Sequence, residues 1–126
     1  EDAAAVEQIL AQRDASALAS KKGPIISTAV IAGVMAAKKT SDLIPFCHPL
    51  PLDSVDVDIS WCSPSELAVD CRVRVHHKTG VEMEALTGAS AAALCIYDMC
   101  KASSHNIVIS AVQLMAKSGG KRHFQR

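Results

Sequence analysis

The sequence predicts an α+β fold in which helices pack on one face of an antiparallel sheet. The first observation behind this prediction is a strict alternation of apolar and polar residues in two neighbouring segments, which is typical of strands with one buried face and one face in water. The second is a pair of Ala-rich segments, at about 24–39 and 83–102, whose composition favours helix. The third is the length of 126 residues, which suits one domain.

Two helices are predicted in the first third of the chain. Asp2 to about Ser16 is rich in Ala, Glu, Gln and Leu, with apolar residues at helical spacing, and is predicted to be an amphipathic helix. The Lys-Lys-Gly-Pro sequence at 21–24 interrupts it, and Pro24 suits the first turn of a second helix that runs to about Lys39. The small residues of this second helix allow another backbone to approach closely.

An irregular loop and a hairpin are predicted next. Ser41 or Asp42 caps a short further turn, and three prolines then force a loop with His48 in its middle. Two alternating strands follow, joined by a turn at 62–66. Their inward-facing residues are Val55, Val57, Ile59 and Trp61, then Leu67, Val69, Cys71, Val73 and Val75.

The last third of the chain predicts a long helix and one more strand. The helix begins near Met83 and ends near Ala102, and it is apolar on most sides, so we expect broad burial in the core or against another subunit. The final strand is predicted from Ile107 to Ala116. A ferredoxin-like arrangement is the natural solution for a small domain with this order of elements, and the surplus of apolar residues indicates an oligomer.

Composition excludes several classes of protein. The formal net charge is 0 and aromatic residues make up 3%, which disfavours a general polyanion binder and a stacking platform for single-stranded nucleic acid. No apolar run approaches the length of a membrane-spanning helix, no cleavable signal segment is visible, and the first residue is Glu1 rather than Met. The five cysteines include no C-x-x-C pair, which indicates reduced thiols and disfavours a structural zinc site.

The long helix carries the first candidate site residues. Glu84, Thr87 and Asp98 lie within about 60° of one another on a helical wheel, and Lys101 is three residues beyond Asp98. An acid and a base on a face flanked by apolar residues are costly to bury unless they are paired, so we expect a functional site. The alternative is a solvated face with an ordinary ion pair.

Other candidate residues each have an equally simple structural interpretation. Glu82 and Glu84 suit acid–base work or the binding of polar substrate groups, but they also suit a helix N-terminus. His48 is held in a proline-rich loop and has either a substrate contact or no role. Several lysines suit phosphate binding, although lysines also serve solubility: Lys22, Lys101, Lys117 and Lys121. No P-loop, dinucleotide-binding glycine pattern or G-x-S-x-G sequence occurs.

Two long segments resemble one known family. The segment 41–50 (SDLIPFCHPL) resembles a family D-L-I-P-[LF]-C-H-P-L motif, and 79–102 (TGVEMEALTGASAAALCIYDMCKA) resembles the family's signature helix with its preceding turn. The family is MoaC, of molybdenum cofactor biosynthesis. Shorter matches at 22–23, 31–33, 36–40 and 117–121 extend the resemblance over nearly the whole chain, as one MoaC-like domain spanning 1–126 that lacks the family's N-terminal strand.

The resemblance implies an activity. Family members are ferredoxin-like hexamers, each a trimer of dimers, with cyclic pyranopterin monophosphate synthase activity. They are lyases that convert 3′,8-cyclo-7,8-dihydro-GTP to cyclic pyranopterin monophosphate and release pyrophosphate. The resemblance implies no metal or redox cofactor, although Mg²⁺ can accompany the triphosphate. It also implies no nucleic-acid or membrane partner, and a cytoplasmic location, or a mitochondrial one if the source is eukaryotic.

The resemblance also implies roles for individual residues. Asp98 matches the catalytic aspartate, Lys101 its lysine partner, and Lys22 a further catalytic position. The substrate-contacting positions are Phe46, Cys47, His48, Glu82, Met83, Glu84 and Lys117, at a site shared between subunits. Val30 stands where the family's A-R-[IV]-A-G segment has Arg, and this departure supports one alternative, a non-catalytic nucleotide-binding regulator. A second alternative is a structural oligomerisation module.

Overall fold

The computed structural model describes residues 18–76, 78–119 and 124–126, and the helix predicted from Asp2 to about Ser16 lies outside them. Three helices and six strands, four of them only two residues long, are defined in the described part of the chain. In chain order they are β1 Ala19–Ser20, β2 Gly23–Pro24, α1 Ile25–Lys38, α2 Thr40–Leu43, β3 Ser54–Ser63, β4 Glu66–Arg74, α3 Glu82–Cys100, β5 Ala116–Lys117 and β6 Phe124–Gln125.

The two long predicted helices are confirmed. Pro24 is the N-cap residue of α1, with φ −68° and ψ 128°, and its ring restricts the backbone to a conformation that is compatible with the start of a helix. The helix ends at Lys38, one residue before the predicted end, and the short turn α2 follows directly. Helix α3 begins at Glu82 and ends at Cys100, so both ends are within two residues of the predicted ones.

The predicted hairpin is confirmed together with its two faces. Strands β3 and β4 are antiparallel, with Val57 opposite Cys71 and Asp58 opposite Asp70. Val57 is buried, whereas Asp58 is exposed, as the alternation predicts. The register shifts once, between Trp61 and Ser63, next to the turn.

Helices α1 and α3 pack antiparallel to each other against the apolar face of the hairpin. One core cluster, which includes Ile25 at the start of α1 and Met99 at the end of α3, places opposite helix ends side by side. A second cluster joins Ala29, Val57 and Ala92, with one residue from each of α1, β3 and α3. This arrangement is an α+β fold with its helices on one face of an antiparallel sheet.

A pair of glycines sets the distance between the two helices. A Cβ atom added to Gly33 would lie 3.0 Å from the carbonyl oxygen of Gly88, and one added to Gly88 would lie 3.1 Å from the carbonyl oxygen of Gly33. The Gly88 Cβ would also lie 2.6 Å from Cys71 Sγ. Both glycines are buried, so the two backbones are in direct contact where α1 crosses α3, beside strand β4.

The predicted final strand is wrong. Residues 107–115 form no ladder with another described segment, and only Ala116–Lys117 pairs, with Phe124–Gln125. A strand depends on a neighbour for its backbone hydrogen bonds, and the apolar run at 107–109 carries no alternation that would define a buried face. Val108 is accordingly 75% exposed.

Several large apolar side chains lie on the surface of the single chain. Leu94 on α3 is 60% exposed, and Ile31 and Met35 on α1 are also exposed. The predicted broad burial of the long helix is therefore not achieved within one chain, and burial by a second chain stays a prediction. Among the described residues, no helix combines the length and apolarity needed to cross a membrane.

We expect Gly88→Ala to destabilise the fold by a net of about 1 kcal/mol, because crowding at the helix crossing outweighs the gain in helix propensity. Chemical denaturation monitored by circular dichroism measures this difference.

Gly80→Ala is the matched control, because its added Cβ would meet only the flexible carboxylate end of Glu82. We expect that variant to stay within about 0.5 kcal/mol of the wild type. Equal stability of the two variants would contradict the assigned contact between the helices.

Candidate active site

The predicted site residues fall into two groups at opposite ends of α3. The first group lies around a cleft at the start of the helix and is called the cleft: Phe46, Cys47, His48, Glu82, Met83, Glu84 and, at its edge, Lys117. The second is called the Lys–Asp–Lys cluster and consists of Lys22, Asp98 and Lys101 at the end of the helix.

The cleft has a volume of about 280 Å³. Its walls come from the proline-rich loop after α2, the turn before α3 and the first turn of α3 itself. The loop brings His48 to the same cleft as Glu84. Phe46 is 97% exposed, so its ring is available to a ligand or to a second chain.

Glu84 is the buried carboxylate of the cleft. Its residue exposure is only 3%, and Cys47 Sγ donates a hydrogen bond to its Oε2 at 3.6 Å. Burial, followed by the nearby Glu84 charge and this hydrogen bond, raises the pKa of the Cys47 thiol, so Cys47 is a protonated donor and not a thiolate nucleophile. A thiol is a weak donor, so Glu84 keeps acceptor capacity for a ligand.

Lys117, from the last part of the chain, reaches the edge of the cleft through Glu82. Its Nζ lies 3.7 Å from Oε1 of Glu82, and both side chains are about two-thirds buried. The pair places one cation and one anion beside the buried Glu84. Charged groups of both signs therefore accompany apolar residues at this cleft, as expected of a site for a small molecule.

The Lys–Asp–Lys cluster places one carboxylate between two ammonium groups. Lys22 Nζ donates to Asp98 Oδ2 at 2.7 Å, and Lys101 Nζ lies 2.9 Å from Asp98 Oδ1. Lys22 lies in the tight turn between β1 and β2, where its backbone N–H donates to Ser20 Oγ. Lys101 is the C-cap residue of α3, one helical turn beyond Asp98.

These contacts change the pKa of the Asp98 carboxyl group. The hydrogen bond from Lys101, followed by that from Lys22, lowers the pKa of Asp98 from its ordinary 3.8 to about 2. The same contact raises the pKa of Lys101. At neutral pH the cluster is therefore one carboxylate and two ammonium groups, with a surplus of one positive charge.

The expected dry environment of Asp98 is not present in the single chain. The Asp98 side chain is 49% exposed, and both lysines are more exposed than that. The flanking apolar residues did not exclude water because Asp98 lies on the open side of the last turn of α3. Glu84 and Asp98 are 14 residues apart, which is about 21 Å along a helix axis, so one chain does not bring them together.

Some cleft residues were not selected from the sequence. Thr79 and Gly80 line the cleft directly before α3, and Ile44 and Leu50 line it from the loop. A side chain at Gly80 would push aside the flexible Glu82 carboxylate, so the glycine leaves that carboxylate free to lie beside the turn. The signal that could have found these residues is their position beside Glu82 and His48 in the sequence.

Within the described ranges, no group of three or more His, Cys, Asp or Glu side chains is arranged to hold a metal ion. The acidic and thiol groups of the cleft contact each other in the pair Cys47–Glu84.

Comparison with known proteins decides the family. A model of the MoaC family matches residues 2–120. The chain belongs to the MoaC family. A relative from Xanthomonas oryzae pv. oryzae, named cyclic pyranopterin monophosphate synthase, is 57% identical over 114 residues, which cover 90% of this chain and 69% of the relative.

Longer relatives contain a similar segment. Molybdenum cofactor biosynthesis protein 1 of Dictyostelium discoideum is 54% identical over 104 residues, which cover 82% of this chain and 16% of that protein. The molybdenum cofactor biosynthesis bifunctional protein of a Synechocystis strain is 54% identical over 105 residues, which cover 80% of this chain and 30% of that protein. The family resemblance inferred from the two sequence motifs is thus confirmed.

We expect Lys101→Ala to raise the pKa of Asp98 from about 2 toward 3.8, and Lys22→Ala to raise it by less, since the Lys101 hydrogen bond is the larger cause. Because the folded-state pKa is lowered, the ion pairs favour the folded state above pH 3.8, and their contribution disappears as the pH falls through about 2. Carbon NMR of the Asp98 carboxyl group against pH measures the change.

Lys21→Ala is the control for this titration. Lys21 is the neighbour of Lys22 in the same turn and has no ion-pair partner in the described part of the chain. An Asp98 titration that is the same in all three lysine variants would contradict the cluster.

Proposed function

We propose that this MoaC-family chain is a cyclic pyranopterin monophosphate synthase of molybdenum cofactor biosynthesis. It converts 3′,8-cyclo-7,8-dihydro-GTP to cyclic pyranopterin monophosphate and releases pyrophosphate, which makes it a lyase. The observation that carries the proposal is the pairing, on one helix, of a carboxylate-lined cleft with a cluster of two ammonium groups around a carboxylate. The substrate needs both, since it has a polar heterocycle and three phosphates.

The cyclic phosphate step assigns roles to the Lys–Asp–Lys cluster. A substrate hydroxyl oxygen attacks the α-phosphorus, the bond from that phosphorus to the bridging oxygen breaks, and pyrophosphate leaves. Asp98 accepts the hydroxyl proton, while Lys22 and Lys101 stabilise the negative charge that develops on the phosphoryl and leaving oxygens. Both lysines are exposed enough for a phosphate to reach them.

The ring rearrangement assigns roles to the cleft. Conversion of a purine to a pterin requires ring opening and imine formation, which need a proton acceptor and a proton donor. Glu84 and His48 supply this pair in the proposal, because they line the same cleft. The remaining cleft residues contact the substrate: Phe46, Cys47, Glu82, Met83 and Lys117.

A site shared between two protomers completes the proposal. Acid–base groups act over hydrogen-bond distances, and the two groups of one chain are separated by about 21 Å along α3. The cleft of one protomer would therefore work with the Lys–Asp–Lys cluster of another, within a ferredoxin-like homohexamer built as a trimer of dimers. Exposed apolar residues on both long helices, Ile31 and Leu94 among them, support such an assembly.

Other features of the proposal follow the family. The reaction uses no metal or redox cofactor, and Mg²⁺ is an optional companion of the substrate phosphates. The substrate is a small molecule, with no nucleic-acid or membrane partner. The proposed compartment is the cytoplasm, or the mitochondrion in a eukaryote, and it agrees with five thiols that are all free.

We expect Asp98→Asn to lower turnover by about 10²–10⁴-fold, the range for loss of an acid–base group, while the oligomer stays intact. Turnover is measured as fluorescent pterin after oxidation of the product, and assembly by light scattering.

Asp58→Asn is the matched control for this loss of turnover, because Asp58 is an exposed carboxylate that pairs with Arg72 at 3.4 Å on the outer face of the hairpin. Normal turnover in Asp98→Asn would remove Asp98 from the mechanism. If the wild-type protein binds the substrate but forms no product, the alternative function of a non-catalytic nucleotide-binding regulator is supported instead.

We expect two inactive variants, Glu84→Gln and Asp98→Asn, to restore turnover to each other when they are co-expressed. A mixed pair of protomers contains one site with both substitutions and one site with neither, so roughly a quarter to a half of wild-type turnover should return, depending on how the subunits mix. Activity of the purified mixed oligomer measures this complementation.

Co-expression of Asp98→Asn with Lys101→Ala is the control. Both substitutions lie in the same group, so no intact site forms and no turnover should return. Mass spectrometry verifies that the Glu84→Gln and Asp98→Asn chains form a mixed oligomer. If that oligomer has no turnover, each site lies within one protomer.

A further inference from the structure

The Lys–Asp–Lys cluster holds its own anion at the place where the phosphates of a substrate are proposed to bind. Each of the two oxygens of Asp98 contacts a different ammonium group, at 2.7 Å from Lys22 and 2.9 Å from Lys101. Among the described residues, neither lysine is paired with a second carboxylate. An incoming phosphate must therefore share these two cations with Asp98 or replace it.

Replacement is favoured by the exposure and charge of the partners. The side chains of Lys22, Asp98 and Lys101 are each about half exposed or more, and exposed ion pairs of this kind are weak and easily exchanged. A polyphosphate carries several negative charges and many acceptor oxygens, whereas Asp98 carries one charge and two oxygens. Since both lysines contact one carboxyl group, a single polyphosphate is large enough to bridge them.

We propose that Asp98 is an internal competitor that a polyphosphate displaces from Lys22 and Lys101 when it binds. The inference deepens the proposed function and rests on it for the choice of polyphosphate as the ligand. After displacement, Lys22 and Lys101 bind the phosphates. The Asp98 carboxylate then has lost its two cationic partners.

Displacement also changes the acid–base character of Asp98. With both lysines in place, the pKa of Asp98 is lowered to about 2, which makes the group a poor proton acceptor. Among the described residues, Asp98 also helps to raise the pKa of Cys95, and Tyr97 helps to raise the pKa of Lys101, but neither supplies Asp98 with a cation in place of the two lysines. The carboxylate then becomes a better base only when polyphosphate occupies the cluster, which limits proton abstraction to the bound state.

Binding of inorganic tripolyphosphate to the intact oligomer tests the inference. In isothermal titration calorimetry, we expect Asp98→Asn to bind tripolyphosphate about fivefold to tenfold more tightly than the wild type, the scale of one or two exposed ion pairs. Lys22→Ala and Lys101→Ala should each weaken binding by a similar factor. Lys21→Ala controls for charge near Lys22 and should change binding less, and Asp58→Asn controls for the general loss of one negative charge.

The direction in which Asp98→Asn changes the affinity for tripolyphosphate decides the outcome. Tighter binding in Asp98→Asn than in Asp58→Asn supports displacement. Unchanged or weaker binding overturns it, because Asp98 would then hold the lysines in position for phosphate and not compete with it. Absence of tripolyphosphate binding to the wild type overturns it as well.

A second measurement uses the wild-type protein and does not depend on any variant. We expect saturating tripolyphosphate to move the NMR titration of the Asp98 carboxyl carbon upward from about 2 toward 3.8. An unmoved titration would mean that the ion pairs persist in the complex. Neither binding readout requires turnover, so a chain that binds in this way but forms no product would refute the proposed function alone.

Discussion

The close contact of α1 and α3 at Gly33 and Gly88 is the constraint on which the rest of the molecule depends. Because the helices touch through their backbones, they can run antiparallel against a single hairpin with small residues where they cross. The antiparallel direction places the turn before α1 beside the end of α3, and the loop that follows α2 beside its beginning. Both groups of polar residues are thus consequences of one helix crossing.

The charges of this formally neutral chain are unevenly distributed between the two ends of α3. Positive and negative residues are equal in number over the whole sequence, yet the end of α3 has two ammonium groups for one carboxylate. At the other end, the buried Glu84 accepts a hydrogen bond from the Cys47 thiol, and Glu82, about two-thirds buried, pairs with Lys117. Charge is therefore distributed locally according to the part of the substrate that each end is proposed to contact.

Much of this could be predicted from the sequence, because periodicity reports which face of an element is buried. The alternation around Val57 and the Ala-rich spacing of α3 predicted the hairpin and the long helix to within a few residues. Pairing between distant segments leaves no such local trace, so the strand predicted at 107–116 was wrong. The exposure of Asp98 could not be predicted either, since it depends on where α3 ends relative to the turn that carries Lys22. The position of the proposed second chain is likewise not encoded in local patterns.

Helix α3 sets the distance and the relative orientation of Glu84 and Asp98, because both residues belong to it. Adding or deleting one residue between Glu84 and Asp98 would rotate the two carboxylates by about 100° relative to each other and change their separation by about 1.5 Å. A change of one full turn would nearly preserve the rotation but alter the separation by about 5.4 Å. Any partner protomer that meets both ends of this helix must match that spacing, so insertions are better tolerated in the loops than between these two residues.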